Sequence, residues 1–154
     1  MNENLSPAVP LTLVERVLAL REVGAFRAVP AEHLAHLAAA ARERSLDAGA
    51  ELFHEGDAPG SLWILLDGEV RLEHRGAEVA TFRPVEPIGA WSLFGDRPRR
   101  TTARAVGPSR LLELEREAFY EALAERVEIA HALLSDLVSR LQALAESGSE
   151  ETPA

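Results

Sequence analysis

Cysteine is absent from the 154 residues. Its absence excludes disulfides, thiolate-held zinc, cysteine-ligated iron–sulfur clusters and cysteine nucleophiles together, and it fits a cytoplasmic chain. Aromatic residues are scarce, at 5%, so each large ring carries much of the packing. Trp63 and Trp91 are accordingly read as core or interface residues rather than as ligand-stacking groups. Long apolar runs are missing too. None approaches the roughly 18 residues needed to span a bilayer, so no membrane insertion is expected. Met1–Pro10 contains Glu3 but no Lys or Arg, and so lacks the charged start of a secretory signal. Positive charge is in deficit. The formal net charge is −9, which repels phosphate backbones and argues against nucleic-acid binding. Arg97, Arg99, Arg100 and Arg104 form the one dense basic cluster.

What is present is the composition of a globular protein, 47% hydrophobic and 27% charged, with length enough for one core. The pattern divides the chain into a loose tail at 1–10, a single domain at 11–146 and a disordered acidic tail at 147–154. Within the domain, 11–46 reads as helical. Leu13, Val14, Val17, Leu18 and Leu20 recur at helical spacing over Leu11–Val23, and Gly24 stops them. Pro30 opens a second helix over Ala31–Arg44. The period then changes, and 47–115 reads as short strands between turn clusters. Leu62–Leu66 is a continuous apolar run followed by the tight-turn pair Asp67-Gly68. Val70 and Leu72 alternate with Glu69, Arg71 and Glu73. Pro84–Gly95 breaks the strand pattern, with a short helix near Trp91–Leu93. Thr101–Val106 and Arg110–Glu115 complete the set. The fold class is mainly β with flanking helices (α+β), an antiparallel roll, jelly roll or barrel. From Arg116 to about Glu146 the chain is helical, with a heptad-like seam of Leu123, Val127, Ala130, Leu134, Leu137, Leu141 and Leu144.

This order resembles the cyclic-nucleotide-binding domain of the catabolite-activator type over about Val17–Leu144. The residues that carry the resemblance are Phe26 and Pro30; Gly49 and Glu55-Gly56-Asp57; Leu62-Trp63-Ile64-Leu65-Leu66-Asp67-Gly68-Glu69-Val70; Ile88-Gly89 through Thr102; and Leu111–Phe119. The resemblance implies a β-roll that holds cAMP, cGMP or another phosphate-bearing small molecule, and no resident cofactor. It places Gly89, Ala90, Trp91, Ser92, Arg99, Arg100 and Thr101 in a phosphate-binding cassette. Gly89 would let the backbone approach closely, Arg99 would pair with the phosphate, and Thr101 and nearby amides would add neutral donors. The final helix, through Val127, Leu134, Leu137 and Leu141, would lid the pocket and form a homodimer, and Ser135 or Ser139 would reach a bound base.

The sequence departs from that family at identifiable positions. Ala90 stands where the family has a glutamate for the ribose 2′-hydroxyl. A charge-assisted hydrogen bond contributes about 1.5–3 kcal/mol, so its loss predicts a roughly 10- to 100-fold weaker complex. Arg100 replaces a small residue, Val85-Glu86-Pro87 replaces a flexible entry, and Trp91 replaces a smaller aliphatic one. Two readings therefore stand. In one the domain is a sensor that relays ligand binding through its last helix. In the other it is a ligand-free, degenerate domain used for protein interaction or homodimerisation, with Arg99 a surface residue paired with Asp96. Direct DNA binding is not expected, because only the acidic Ser147–Ala154 follows the last helix. Enzymatic activity is not expected either, because no catalytic set assembles. His33 and His36 share a helix face without a third ligand, and no metal site is expected.

Overall fold

The computed structural model describes residues 9–151; the side chains of Trp91 and of 149–151 fall outside that description. The chain opens with α1, Leu13–Leu20. Thr12 caps it: its hydroxyl accepts from the Glu15 N–H while the Glu15 carboxylate accepts from the Thr12 N–H, a reciprocal capping box that satisfies two otherwise orphan donors. A 3-10 turn, Gly24–Ala28, leads to α2, Ala31–Ala39. The strands follow: β1 Arg42–Leu46, β2 Glu51–Phe53, β3 Ser61–Asp67, β4 Val70–His74, β5 Ala77–Phe82, β6 Pro87–Ile88, β7 Thr102–Ala105 and β8 Ser109–Glu115. They form two four-stranded sheets, in the orders β1-β8-β3-β6 and β2-β7-β4-β5, and every pair is antiparallel. This is the expected roll. The helices α3, Arg116–Glu125, and α4, Val127–Glu151, close the chain.

The continuous apolar run on β3 has a direct explanation, since the strand is buried on both faces. Leu62 and Ile64 join a core shared with α1, α2 and α3, which also holds Phe26, Leu34, Leu37 and Phe119. Trp63 and Leu65 point the other way, into the roll, with Phe53, Val70, Ile88 and Leu111. Strand β8 divides similarly, with Leu112 and Leu114 toward the helices and Leu111 toward the roll. Gly68 makes the turn after β3 at φ +101°, and a Cβ there would sit 2.2 Å from the Ser109 hydroxyl. Only glycine fits that turn without strain.

Three boundaries differ from the sequence reading. The second helix ends at Ala39 rather than Arg44, and residues 42–46 form β1. Pairing with β8 overrides the local helix propensity of Ala-Arg-Glu-Arg, and ion pairs of Arg42 with Glu115, Arg110 with Glu43 and Arg44 with Glu113 lace the two strands. The C-terminal helical region is broken at Arg126, whose φ and ψ are −132° and 88°. The expected acidic tail at 147–154 is helical as far as Glu151; no proline intervenes before Pro153, so the helix propagates through the small residues. Residues 152–154, and 1–8 of the N-terminal tail, lie outside the described residues.

Glu43 pins the N-terminal segment to the roll. It accepts from the Leu11 N–H at 2.7 Å and from Arg110 at 2.5 Å, with Arg16 at 3.9 Å. Partial burial acts to raise its pKa, but the Leu11 and Arg110 hydrogen bonds and the charges of Arg110 and Arg16 outweigh it, leaving the carboxyl below its ordinary value. A depressed folded-state pKa contributes stability that is present above the unfolded carboxylate value and is lost as pH falls through the folded one. Glu43→Gln is therefore expected to lower the melting temperature at neutral pH by about 2–4 °C, from about 1 kcal/mol for a partly exposed network. Melting curves of both proteins should converge as pH falls through the acid range.

Candidate functional site

Between β6 and β7 the chain makes a turn and a single 3-10 segment, Ala90–Leu93, then a loop that returns as β7. Gly89 sits at the entry with φ +78°. A Cβ on Gly89 would lie 2.6 Å from Nη1 of Arg99, so the absence of a side chain at 89 is what lets the guanidinium occupy its place. Arg99 is buried, 9% exposed. Its Nη2 donates to the Ser61 carbonyl at 2.8 Å. Its Cζ lies 4.3 Å from the Phe53 ring centroid and 5.1 Å from that of Trp63. Those two rings stack with centroids 5.6 Å apart, forming an aromatic bed that favours a cation.

The backbone of Arg99 is also fixed. Its N–H donates to the Asp57 carbonyl at 2.8 Å, and its carbonyl accepts from the Gly56 N–H at 2.8 Å. The adjoining Glu55 N–H donates to the Thr102 hydroxyl at 3.0 Å. The turn Glu55-Gly56-Asp57 thus serves to hold the arginine. No carboxylate among the described residues forms an ion pair with the Arg99 guanidinium, and Asp96, its expected surface partner, pairs instead with Arg116 at 2.8 Å. Burial pushes the Arg99 pKa down, and the Asp57 charge, acting through space, partly restores it. A buried guanidinium keeps five donors and full charge, so this one is short of partners.

A cavity of about 550 Å³ opens beside it, with apolar walls from Phe53, Leu72, Phe82, Ile88 and Phe94. Of the cassette residues singled out from the sequence, Gly89, Ser92, Arg99, Arg100 and Thr101 line this cavity. Ala90 is half-buried and packs on the helical core instead. The side chain of Trp91 lies outside the described residues. A second recess of about 510 Å³, reached by Glu55, His74 and Val79, lies against the same Arg99–Thr101 segment. Sequence reasoning missed Phe53 as part of the arginine's bed and treated Trp63 as a core or interface residue. Nothing local marks either ring, because they meet Arg99 only once separate strands have rolled together.

The cassette is fastened to α3. The Tyr120 hydroxyl donates to the Leu93 carbonyl at 3.1 Å. Arg116 bridges Asp96 and the Tyr120 oxygen, and Phe94 meets Phe119 edge-on with centroids 5.4 Å apart. The next helix, α4, supplies no residue to the cavity wall, so neither Ser135 nor Ser139 reaches it. Ile129, Ala132 and Leu133 of α4 pack on the helical core. Of the expected heptad positions, Leu123 packs on that core as well and Ala130 is half-buried, whereas Val127, Leu134, Leu137, Leu141 and Leu144 are all exposed, between 51% and 69%. His33 and His36 contact Glu32 and Glu125, and no cluster of three potential metal ligands exists among the described residues. Among those residues, no helix is long and apolar enough to cross a membrane.

Comparison with known proteins agrees with this architecture. Residues 43–126 match the family model described as the cyclic nucleotide-binding domain. The chain is similar to the CRP-like cAMP-activated global transcriptional regulator of Mycobacterium tuberculosis, at 27% identity over 80% of this chain and 57% of that protein. It is similar to the cyclic AMP receptor protein of Thermus thermophilus, at 32% identity over 61% of this chain and 46% of that protein. The chain therefore spans about half the length of the curated relatives it matches. Among solved structures, the N-terminal domain of a transcriptional regulator from Streptomyces coelicolor A3(2) superposes with a TM-score of 0.73 at 34% identity, covering 85% of this chain and 94% of that one. With the roll, the cassette and a family match across more than half its length, this chain belongs to the cyclic nucleotide-binding domain family.

Proposed function

We propose that this chain is a regulatory sensor domain that binds cAMP, cGMP or another anionic small molecule at Arg99 and relays occupancy through the cassette to α3 and α4. The observation that carries the reading is the buried Arg99 guanidinium, which lacks a carboxylate partner and faces a cavity. An anion there would regain the charge-assisted bonds that burial has removed. The contacts of Leu93, Phe94 and Asp96 with Tyr120, Phe119 and Arg116 supply the route outward. Relay requires that the ligand bind two arrangements of these helices with different affinity, since equal affinity shifts nothing. Such a module acts in the cytoplasm and is not itself an enzyme. Calorimetric titration of cAMP and cGMP into the wild-type chain and into Arg99→Ala tests it. Saturable binding that the substitution weakens at least 100-fold supports the proposal, and heat-silent mixing at millimolar ligand rejects it.

The second reading, a homodimerisation module, is favoured by the outward face of α4. Five heptad residues plus Val138 are exposed on one helix, more apolar area than a solvated helix face ordinarily carries. The two functions are compatible, since a second copy of α4 would cover this seam without touching Arg99. The double substitution Leu137→Glu and Leu141→Glu is expected to convert a dimer to a folded monomer in sedimentation equilibrium, with circular dichroism unchanged, because neither side chain packs on its own roll.

A further inference from the structure

If Arg99 is the anion site, the rest of the lining decides what else of a ligand is recognised. The charged groups at the cavity are Arg97, Arg99, Arg100 and Asp96. Asp96 stands at the rim, with one carboxylate oxygen held by Arg116 and its side chain 95% exposed to solvent, whereas none of the three arginines pairs with a carboxylate among the described residues. The remaining polar side chains are the Ser92 and Thr101 hydroxyls, and the rest of the wall is largely apolar. No described lining residue carries an amide. The chain has only three such side chains, Asn2, Asn4 and Gln142; Gln142 is exposed on α4, away from the cavity, and the two asparagines fall outside the described residues.

Inside the rim, the described side chains of this wall offer charged donors and ring-sized apolar surface, but no charged or amide acceptor. A ribose 2′-hydroxyl needs an acceptor to be selected. Telling adenine from guanine needs groups that match a mixed edge of donors and acceptors, the work of carboxylates and amides. Ala90 does not supply one, because its methyl group has no acceptor atom and packs on the helical core. The Ser61 carbonyl, a candidate backbone acceptor, is taken by Arg99. Two neutral hydroxyls remain, and a neutral hydrogen bond discriminates by about tenfold at most.

We infer that this cavity, resting on the reading of Arg99 as an anion site, accepts organic anions as a class. It grips the negative charge with guanidinium groups and a ring or comparable apolar body with Phe53, Leu72, Phe82, Ile88 and Phe94. It selects neither the sugar hydroxyl nor the base edge. A receptor of this kind separates a ring-bearing phosphate from inorganic phosphate, but does not separate one cyclic nucleotide from another.

The test is calorimetry on the full chain with cAMP, cGMP, 2′-deoxy-cAMP, phenyl phosphate and inorganic phosphate, repeated with Arg99→Ala. The inference expects the three cyclic nucleotides to bind within about tenfold of one another, and phenyl phosphate to bind more than about fivefold tighter than inorganic phosphate. Arg99→Ala should abolish all of this binding. A preference above about tenfold for cAMP over its 2′-deoxy analogue or over cGMP overturns the inference while leaving Arg99 as an anion site. Phenyl and inorganic phosphate binding within fivefold of each other overturns the apolar half of the claim. Absence of saturable binding by every probe overturns both the inference and the sensor reading.

Discussion

Arg99→Met is expected to abolish anion binding and to raise the melting temperature in the same protein. The two effects share one cause. Arg99 is 9% exposed, has one hydrogen bond to a protein carbonyl and lacks a carboxylate partner. Removing a charge from water costs several kcal/mol after relaxation. One hydrogen bond to a charged donor returns about 1.5–3 kcal/mol, and each of the two rings beneath the cation about 0.5–2 kcal/mol, so without an anion the cost is offset only in part. Methionine is close to arginine in length, keeps contact with Phe53 and Trp63, and carries no charge to desolvate. A gain of about 1–2 kcal/mol raises the melting temperature of a domain this size by about 2–8 °C. Affinity for the cyclic nucleotides should fall at least 100-fold. Differential scanning calorimetry with and without ligand reads both outcomes. A fall in melting temperature would mean that Arg99 is a structural anchor, and the site would lose its main support.

The largest loss of stability is expected from Phe119→Ala. Phe119 is fully buried. It touches Phe26 of the N-terminal turn at 6.0 Å between centroids, Phe94 of the cassette at 5.4 Å and Tyr120 beside it on α3 at 5.9 Å. Truncating a buried phenylalanine costs about 3–5 kcal/mol, from lost transfer energy and the cavity left behind, which lowers the melting temperature by about 6–20 °C. The substitution also removes the apolar contact between cassette and α3. Phe119→Leu, which fills more of the volume, should recover most of the stability. If the ring contact with Phe94 carries the relay, the leucine variant will bind ligand normally, yet ligand will no longer change hydrogen exchange in α4.

Much of this architecture is legible in the sequence because its main signals are local. The run Leu62–Leu66 and the pair Asp67-Gly68 mark β3 and its turn. The heptad positions on α4 mark an apolar stripe, and the structure leaves that stripe outside. Other features depend on long-range partners. Residues 42–44 continue a stretch of helical propensity, yet β8 captures them in β1 across a long stretch of chain. Arg126 breaks the last helical region without glycine or proline to announce it. The position of Arg99 within a phosphate-type cassette is readable, but its condition is not. That it is buried, stacked on two rings and without a carboxylate partner follows from β2, β3 and the 54–57 turn converging on one point. Asp96, its nearest acid in sequence, is drawn away by Arg116 from the start of α3.

The central claim is that the Arg99 guanidinium awaits an external anion. Side-chain proton–nitrogen NMR of its Nε–H group, assigned by comparison with Arg99→Met, tests this while cyclic nucleotide is titrated into the wild-type chain. The account predicts one saturable shift of that signal, with the same midpoint as the calorimetric isotherm. A signal that stays fixed while ligand saturates the protein elsewhere, or while no binding occurs at millimolar concentration, would contradict it.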